Sequence, residues 1–230
     1  MGEALDNAPK ALTKEFMGKT FYFEPTPTAP YLINEIFADN YKIFDRGLKF
    51  ETGDVVLDIG ANEGMFSIMI AKLFPFTRVI AIEPVSRTFF QMIRNIGLNG
   101  VTNIEPHCVG VAAANRPGVM NVHKEFSGGS SLVDTFDKVN HELIEVQLHS
   151  LDTILDSFNI IKVKLLKIDI EGGEYDALYA FKGLDSVENM VAEFHINKRL
   201  ADKGYDINEL ATWCGQKTNL IYYDKCQMAE

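Results

Sequence analysis

Cysteine is scarce, three residues in 230, and Cys108, Cys214 and Cys226 show no CxxC spacing. An odd number without paired spacing argues against a disulfide framework and against a cysteine-bound zinc, leaving small buried hydrophobes as the expected role. Long apolar runs are missing too. None approaches the ~18 residues needed to cross a bilayer, so no membrane partner is expected. Positive charge is outnumbered: 22 Lys and Arg stand against 32 Asp and Glu, a net charge of −10. Displacing counterions from phosphates needs basic surface, so nucleic acid is not an expected partner either. Residues 1–14 contain no apolar stretch of the signal-peptide kind, and Asp6 stands where N-myristoylation wants Ser or Thr. A cytoplasmic location is the expectation.

What is present is an ordinary globular composition, 47% hydrophobic and 23% charged. A chain of this size buries roughly 70% of its unfolded surface without any staple. Two parts are expected: an N-terminal extension with a cover helix over residues 1–50, and one domain over 51–230. In the extension, Glu24-Pro25-Thr26-Pro27-Thr28-Ala29-Pro30 reads as a stiff non-helical segment. Tyr31 to Phe44 then has helical spacing, with Leu32, Ile33, Ile36, Phe37, Tyr41 and Phe44 on one face. From Asp54 onward, short apolar runs alternate with amphipathic helices. Strands are expected at 55–59, 78–82, 103–109, 163–168, 189–194 and 219–223, and helices at 65–74, 86–98, 174–181 and 207–214. Residues 118–123 and 142–149 read as extended segments flanking the polar loop Ser127 to Ser131. Such alternation predicts an α/β fold with a mostly parallel sheet and helices on both faces. Ligands of such sheets sit beyond the carboxyl ends of the strands.

The most informative stretch is Val55-Val56-Leu57-Asp58-Ile59-Gly60-Ala61-Asn62-Glu63-Gly64-Met65-Phe66-Ser67. A strand enters a tight turn with glycines at 60 and 64, where the backbone bends and a ligand can approach without meeting a Cβ. Glu83 ends the next strand about 20 residues on, where a carboxylate holds ribose hydroxyls. A dinucleotide loop has a third glycine where Asn62 stands, and Glu63 and Asp58 bring negative charge that suits a cation better than a pyrophosphate. S-adenosylmethionine (SAM) matches these needs: a ribose, no phosphate, and an ammonium group for Asp58 to attract. The alternative is a plain glycine turn, with Glu83 only capping a helix.

At these residues the chain resembles the FkbM family of methyltransferases, within the class I Rossmann-like group. The likeness continues through Ile82-Glu83-Pro84, Ser130-Ser131-Leu132 and Ser150-Leu151-Asp152-Thr153-Ile154-Leu155. It is clearest at Leu165-Leu166-Lys167-Ile168-Asp169-Ile170-Glu171-Gly172-Gly173-Glu174. The resemblance implies SAM as cofactor and methylation, typically of a hydroxylated small molecule such as a natural product or sugar. It implies that Asp58, Gly60, Asn62, Gly64 and Glu83 line the cofactor site; Ala61, Phe66, Ser67 and Pro84 complete the expected set. After His195 one strand is legible, where class I domains usually close with an antiparallel pair.

Methyl transfer to a hydroxyl needs alignment, exclusion of water and removal of a proton. Asp169 and Glu171 follow the fourth parallel strand, and Glu193 and His195 share one side of the fifth. These four are the candidate catalytic residues, with His195 as a base at neutral pH. The same set suits a divalent cation, but that is the weaker reading and no metal ligand is assigned. Glu171 and Glu174 also have a bland role as acids at a helix start. His107, His123, His141 and His149 lack ligand spacing and read as structural or surface residues. The loop Ser127 to Leu132 and the helix carrying Glu35 and Tyr41 are candidate covers. Rival readings are N- or C-methylation by the same fold, an NAD-dependent oxidoreductase, and a non-catalytic SAM-binding module.

Overall fold

The computed structural model describes residues 10–38, 41–132 and 140–228. In chain order the strands are β1 (Leu12–Phe16), β2 (Lys19–Phe23), β3 (Val55–Ile59), β4 (Arg78–Ile82), β5 (Ile104–His107), β6 (Gly110–Val111), β7 (Arg116–His123), β8 (His141–His149), β9 (Val163–Ile168), β10 (Val187–Ile196) and β11 (Asn219–Gln227). The helices are α1 (Ala29–Phe37), α2 (Met65–Leu73), α3 (Ser86–Asn99), α4 (Leu151–Ser157), α5 (Glu174–Ala180), α6 (Lys198–Asp202) and α7 (Ile207–Gly215).

The main sheet has the order β11-β10-β9-β3-β4-β5, and every pairing in it is parallel. Its central strands are buried on both faces, which is why they read as unbroken apolar runs. Alternate residues feed two cores. Leu57, Ile59, Ile80, Ile82, Leu166 and Ile168 face one side, with residues of α4, α5 and α7. Val56, Val79, Ala81, Leu165 and Val191 face the other, with α1, α2 and the N-terminal hairpin. The chain runs outward from β3 through β4 to β5, then returns to the other side of β3 as β9. That reversal opens a crevice at the carboxyl ends of β3 and β9, where ligands bind in open parallel sheets.

The structure adds to or departs from the expected architecture at four points. A hairpin, β1–β2, precedes the cover helix and buries Phe21 and Phe23 in the shared core. Helix α1 starts within the proline segment, because Pro30 occupies the first turn, where its missing N–H is not needed. It ends at Phe37, not at Phe44. The last strand, β11, runs parallel to β10, so the chain closes the sheet with one parallel strand where an antiparallel pair is usual. The interruption after β5 is a separate three-stranded sheet, β6-β8-β7, with its own small core of Val85, Met120, Val122, Val146 and Leu148. No helix among the described residues is long and apolar enough to cross a membrane.

Candidate active site

The glycine turn is shaped by contact with its neighbours. Gly60 has φ +79°, and a Cβ added there would lie 1.8 Å from the backbone oxygen of Asp169. Gly64, at φ +85°, caps α2, and an added Cβ would meet Met92 at 2.7 Å. The Gly60 and Ala61 amides donate to the Ile82 carbonyl at 3.0 and 2.9 Å. The Asn62 amide donates to one Glu83 oxygen at 3.0 Å, and the Val85 amide donates to the other at 2.8 Å. Glu83 therefore braces the turn from the end of β4. Its burial pushes the carboxyl pKa up to about 7, against the opposing pull of those two amides.

A cavity of about 590 Å³ opens at this turn, with Gly60, Asn62, Glu83 and Pro84 in one wall. Ala61 and Phe66 border a smaller adjoining space. Gly64 and Ser67 border neither. The Asp58 expectation needs correction. Its side chain is fully buried and outside the cavity lining. Ser67 Oγ donates to Asp58 Oδ2 at 2.6 Å, and Lys167 Nζ stands 3.4 Å from Oδ1. Asp58 Oδ1 has no aligned hydrogen bond, so the Lys167 contact acts through charge. Asp58 is the internal counter-charge of Lys167, and it is not open to a ligand's ammonium group.

Lys167, which the sequence reading left without a role, ties the two strand ends together. Its ammonium donates to the Gly60 carbonyl at 2.7 Å and lies 3.5 Å from Asp169 Oδ2. Burial disfavours its charge, but Asp58, Asp169 and Glu193 outweigh burial and hold it firmly protonated. Of the two lysines inside Val163–Ile168, Lys164 pairs with Glu188 and Lys167 is the one buried at the strand's carboxyl end. Glu63 is also buried, and it accepts from Thr26 Oγ1 at 2.7 Å and Ser127 Oγ at 3.3 Å. Its charge thus fastens the N-terminal segment and the 127–131 loop to the turn.

The same cavity is lined by the four candidate catalytic residues and by Glu35, Cys226 and His141. Cys226 and His141 had been read as bland; the pairing of β11 with β10 and the end of β8 bring them here. Cys108 is exposed, and only Cys214 is the small buried hydrophobe expected of all three. His195 is buried, with Nδ1 3.1 Å from Glu174 Oε1 and Nε2 3.4 Å from Glu171 Oε2. Glu174, fully buried, also accepts from the Ile170 and Gly172 amides at 2.9 and 3.0 Å. Burial opposes a charged His195, yet Cys226, Glu174 and Glu171 overcome it and raise its pKa well above the ordinary value. The ring lies between two glutamates that favour its protonated form, which weighs against the expected role of a base at neutral pH. Burial raises Glu171 to about 8 and Glu193 to about 7. Tyr41 donates to Glu193 Oε1 at 3.1 Å.

The cover elements line this cavity as well. Tyr31, Leu32 and Glu35 come from α1, and residues 126–132 from the loop after β7. The Ser127 amide donates to Thr28 Oγ1 at 3.1 Å, and Ser131 Oγ donates to the Glu171 carbonyl at 2.6 Å.

A parallel sheet reversing at β3, a glycine turn, and an acid ending the neighbouring strand define a Rossmann-like methyltransferase fold. Residues 58–214 match the model of the methyltransferase FkbM domain, and the chain belongs to that family. It is a SAM-dependent methyltransferase. Methyltransferase 1 of Beauveria bassiana (strain ARSEF 2860) is 28% identical over 187 residues, 71% of this chain and 72% of the relative. The 31-O-demethyl-FK506 methyltransferase FkbM of Streptomyces tacrolimicus is 26% identical over 198 residues, 73% and 75% of the two chains. Among solved structures, M. jannaschii TYW2 in complex with AdoMet aligns with 45% of each chain, at 23% identity and a TM-score of 0.29.

Proposed function

We propose that this enzyme methylates a hydroxyl oxygen of a small molecule. The observation that carries the reading is one cavity whose lining joins a glycine turn braced by Glu83 to the acidic set Asp169, Glu171 and Glu193 with His195. Its volume of about 590 Å³ lies in the range of small-molecule sites and is covered by α1 and the 126–132 loop. The acidic wall repels phosphates, which supports a small neutral or cationic acceptor over nucleic acid.

The residues at the turn fit the cofactor. Gly60 leaves room that any Cβ would fill. Asn62 Oδ1 is buried without a hydrogen bond, an acceptor suited to a donor group of the ligand. Glu83 presents its carboxylate to ribose hydroxyls, and Pro84 flanks it. When bound, the sulfonium supplies an electrophilic methyl carbon. The chain's own part is to position the acceptor, exclude water and take one proton. Glu193 lines the cavity and is oriented by Tyr41, so its carboxylate is placed to receive the hydroxyl proton as the oxygen attacks. Glu63, Thr26 and Ser127 keep the cover closed over the reacting atoms.

The test is incubation with methyl-labelled SAM and a library of hydroxylated metabolites and sugars, reading products by mass and carbon NMR. A labelled methyl ether is the expected product. Label on nitrogen or carbon, or no labelled product from a protein that binds SAM, overturns the hydroxyl assignment.

Glu83 gives this reading a pH signature. Its folded pKa of about 7 lies above the ordinary carboxyl value of 4.5, so between these values the unliganded protein loses stability as pH rises. Ribose hydroxyls donate to the carboxylate, so cofactor affinity moves the other way. Calorimetry with S-adenosylhomocysteine should show roughly tenfold tighter binding at about pH 8 than at about pH 6, the change in ionised fraction across that pKa. Glu83→Gln should flatten the profile; an unchanged slope in that variant removes Glu83 from the role.

A further inference from the structure

We propose that Asp169, Glu171 and His195 form a binding site for one divalent cation of the Mn²⁺ class, serving the acceptor side of the cavity. Its catalytic role rests on the methyl-transfer reading above; the site itself rests on geometry. One ligand atom from each residue lies within 4.8 Å of the others, at the carboxyl ends of β9 and β10. A six-coordinate cation with donors at ~2.2 Å brings neighbouring donors to about 3 Å apart, so modest side-chain movement closes the set.

The stronger argument is the orientation of His195. Its Nδ1 faces Glu174, which is fully buried and fixed by the Ile170 and Gly172 amides. That contact aims Nε2 into the cavity, toward Glu171 Oε2 at 3.4 Å. A buried carboxylate behind a histidine whose other nitrogen faces a donor cluster is the arrangement that orients metal-binding imidazoles.

Charge points the same way. Glu35, Asp169, Glu171 and Glu193 all line this cavity. Lys167, the nearby ammonium, donates to the Gly60 carbonyl and is shared between Asp58 at 3.4 Å and Asp169 Oδ2 at 3.5 Å, so it offsets only part of that charge. The position beside His195 Nε2, which faces Glu171 Oε2 at 3.4 Å, is where a divalent cation would sit. Two carboxylates and an imidazole are a hard, oxygen-rich set, which favours Mn²⁺ or Mg²⁺ over softer choices. The alternative grouping of Glu193, His195 and Cys226 is softer and would favour zinc. In it, however, Cys226 Sγ is engaged as a donor to Glu193 Oε2 at 3.6 Å and is not presented as a thiolate ligand.

An acceptor oxygen beside the cation gives up its proton more readily. The proton goes to Glu193, the oxygen lone pair forms the new bond to the methyl carbon, and the sulfur keeps the electrons of the broken S–C bond. Glu174 is a positioning residue in this scheme, since it touches only the imidazole.

The experiment titrates chelator-treated protein with Mn²⁺ alone and follows the EPR signal of the free ion. One ion should bind per chain. Asp169→Asn and His195→Gln should each weaken binding at least tenfold, and Glu174→Gln by roughly tenfold through the lost orientation. Circular dichroism melts establish that each variant is folded. If the buried His195 variant fails to fold, Asp169→Asn decides, because that side chain is 26% exposed. The proposal is overturned if folded wild-type protein binds neither Mn²⁺ nor Mg²⁺ up to about 1 mM, a weak limit for protein sites of this kind. It is equally overturned if both variants bind as wild type does, or if only zinc binds and Cys226→Ser abolishes it. S-adenosylhomocysteine is titrated in parallel. Protein that binds it but no cation sinks this inference alone; protein that binds the cation but not the nucleoside sinks the function and leaves the site.

Discussion

Gly60→Ala should lose at least 100-fold in S-adenosylhomocysteine affinity and destabilise the fold by roughly 2–5 kcal/mol. The stability loss combines ~1–2 kcal/mol for a side chain in the left-handed region with ~1–3 kcal/mol of overpacking. The clash is with backbone: the new Cβ would sit 1.8 Å from the Asp169 carbonyl oxygen, which cannot swing aside as a side chain does. Relief requires the turn or the end of β9 to move, and a displacement of about 1 Å in a binding loop costs on the order of 100-fold. Gly100→Ala is the internal control. Gly100 has φ +61° but nothing within 4 Å of an added Cβ. It should cost only the ~1–2 kcal/mol of conformational strain and leave nucleoside binding unchanged. A Gly60→Ala protein that binds as wild type does would mean that the turn does not approach the ligand.

The second large effect is expected at Lys167. Replacing it with Met removes a buried ammonium, leaves Asp58 uncompensated and strips the Gly60 carbonyl of a 2.7 Å hydrogen bond. Breaking a buried pair from one side costs about 3–5 kcal/mol, because the remaining charge has lost its solvent and its partner. Urea unfolding measures it. The double variant Lys167→Met with Asp58→Asn should recover about half of the loss, since the orphaned charge is then gone. A single variant that loses less than about 1 kcal/mol would show that Asp58 is solvated or neutral, and would return it to the cofactor site. This pair of measurements separates the two roles assigned to Asp58: open anchor from the sequence, internal counter-charge from the structure.

That contrast shows where sequence reasoning ran out. Strand positions were legible because β3, β4 and β9 are buried on both faces and flanked by polar residues or glycine, Asp54 and Gly60, Thr77 and Glu83, and Lys162 and Asp169, so their ends are sharp. The family motif then fixed which strand ends are neighbours, and Asp169, Glu171, Glu193 and His195 do line one cavity. The hairpin was hidden because its turn puts Met17 at φ +47°, a conformation that methionine does not announce. Helix α4 did have a signal: Ser150 caps it by accepting from the Thr153 amide. At seven residues, however, it is too short for periodicity to show. Partners were the least legible feature. No pattern in a strand says that Lys167 reaches back to Asp58, or that Glu174 turns inward to His195 and not outward as a helix-start acid. Those facts depend on how β9, β10 and α5 pack. Cys226 reaches the site only because β11 lies parallel to β10, a register that the apolar run alone does not set.

The most direct measurement is calorimetric titration of the intact chain with S-adenosylhomocysteine and, separately, with NAD. The expected result is one S-adenosylhomocysteine bound per chain, weakened sharply by Glu83→Ala, with no heat from NAD. Saturable NAD binding without nucleoside binding, or nucleoside binding indifferent to Glu83 and Gly60, would contradict it.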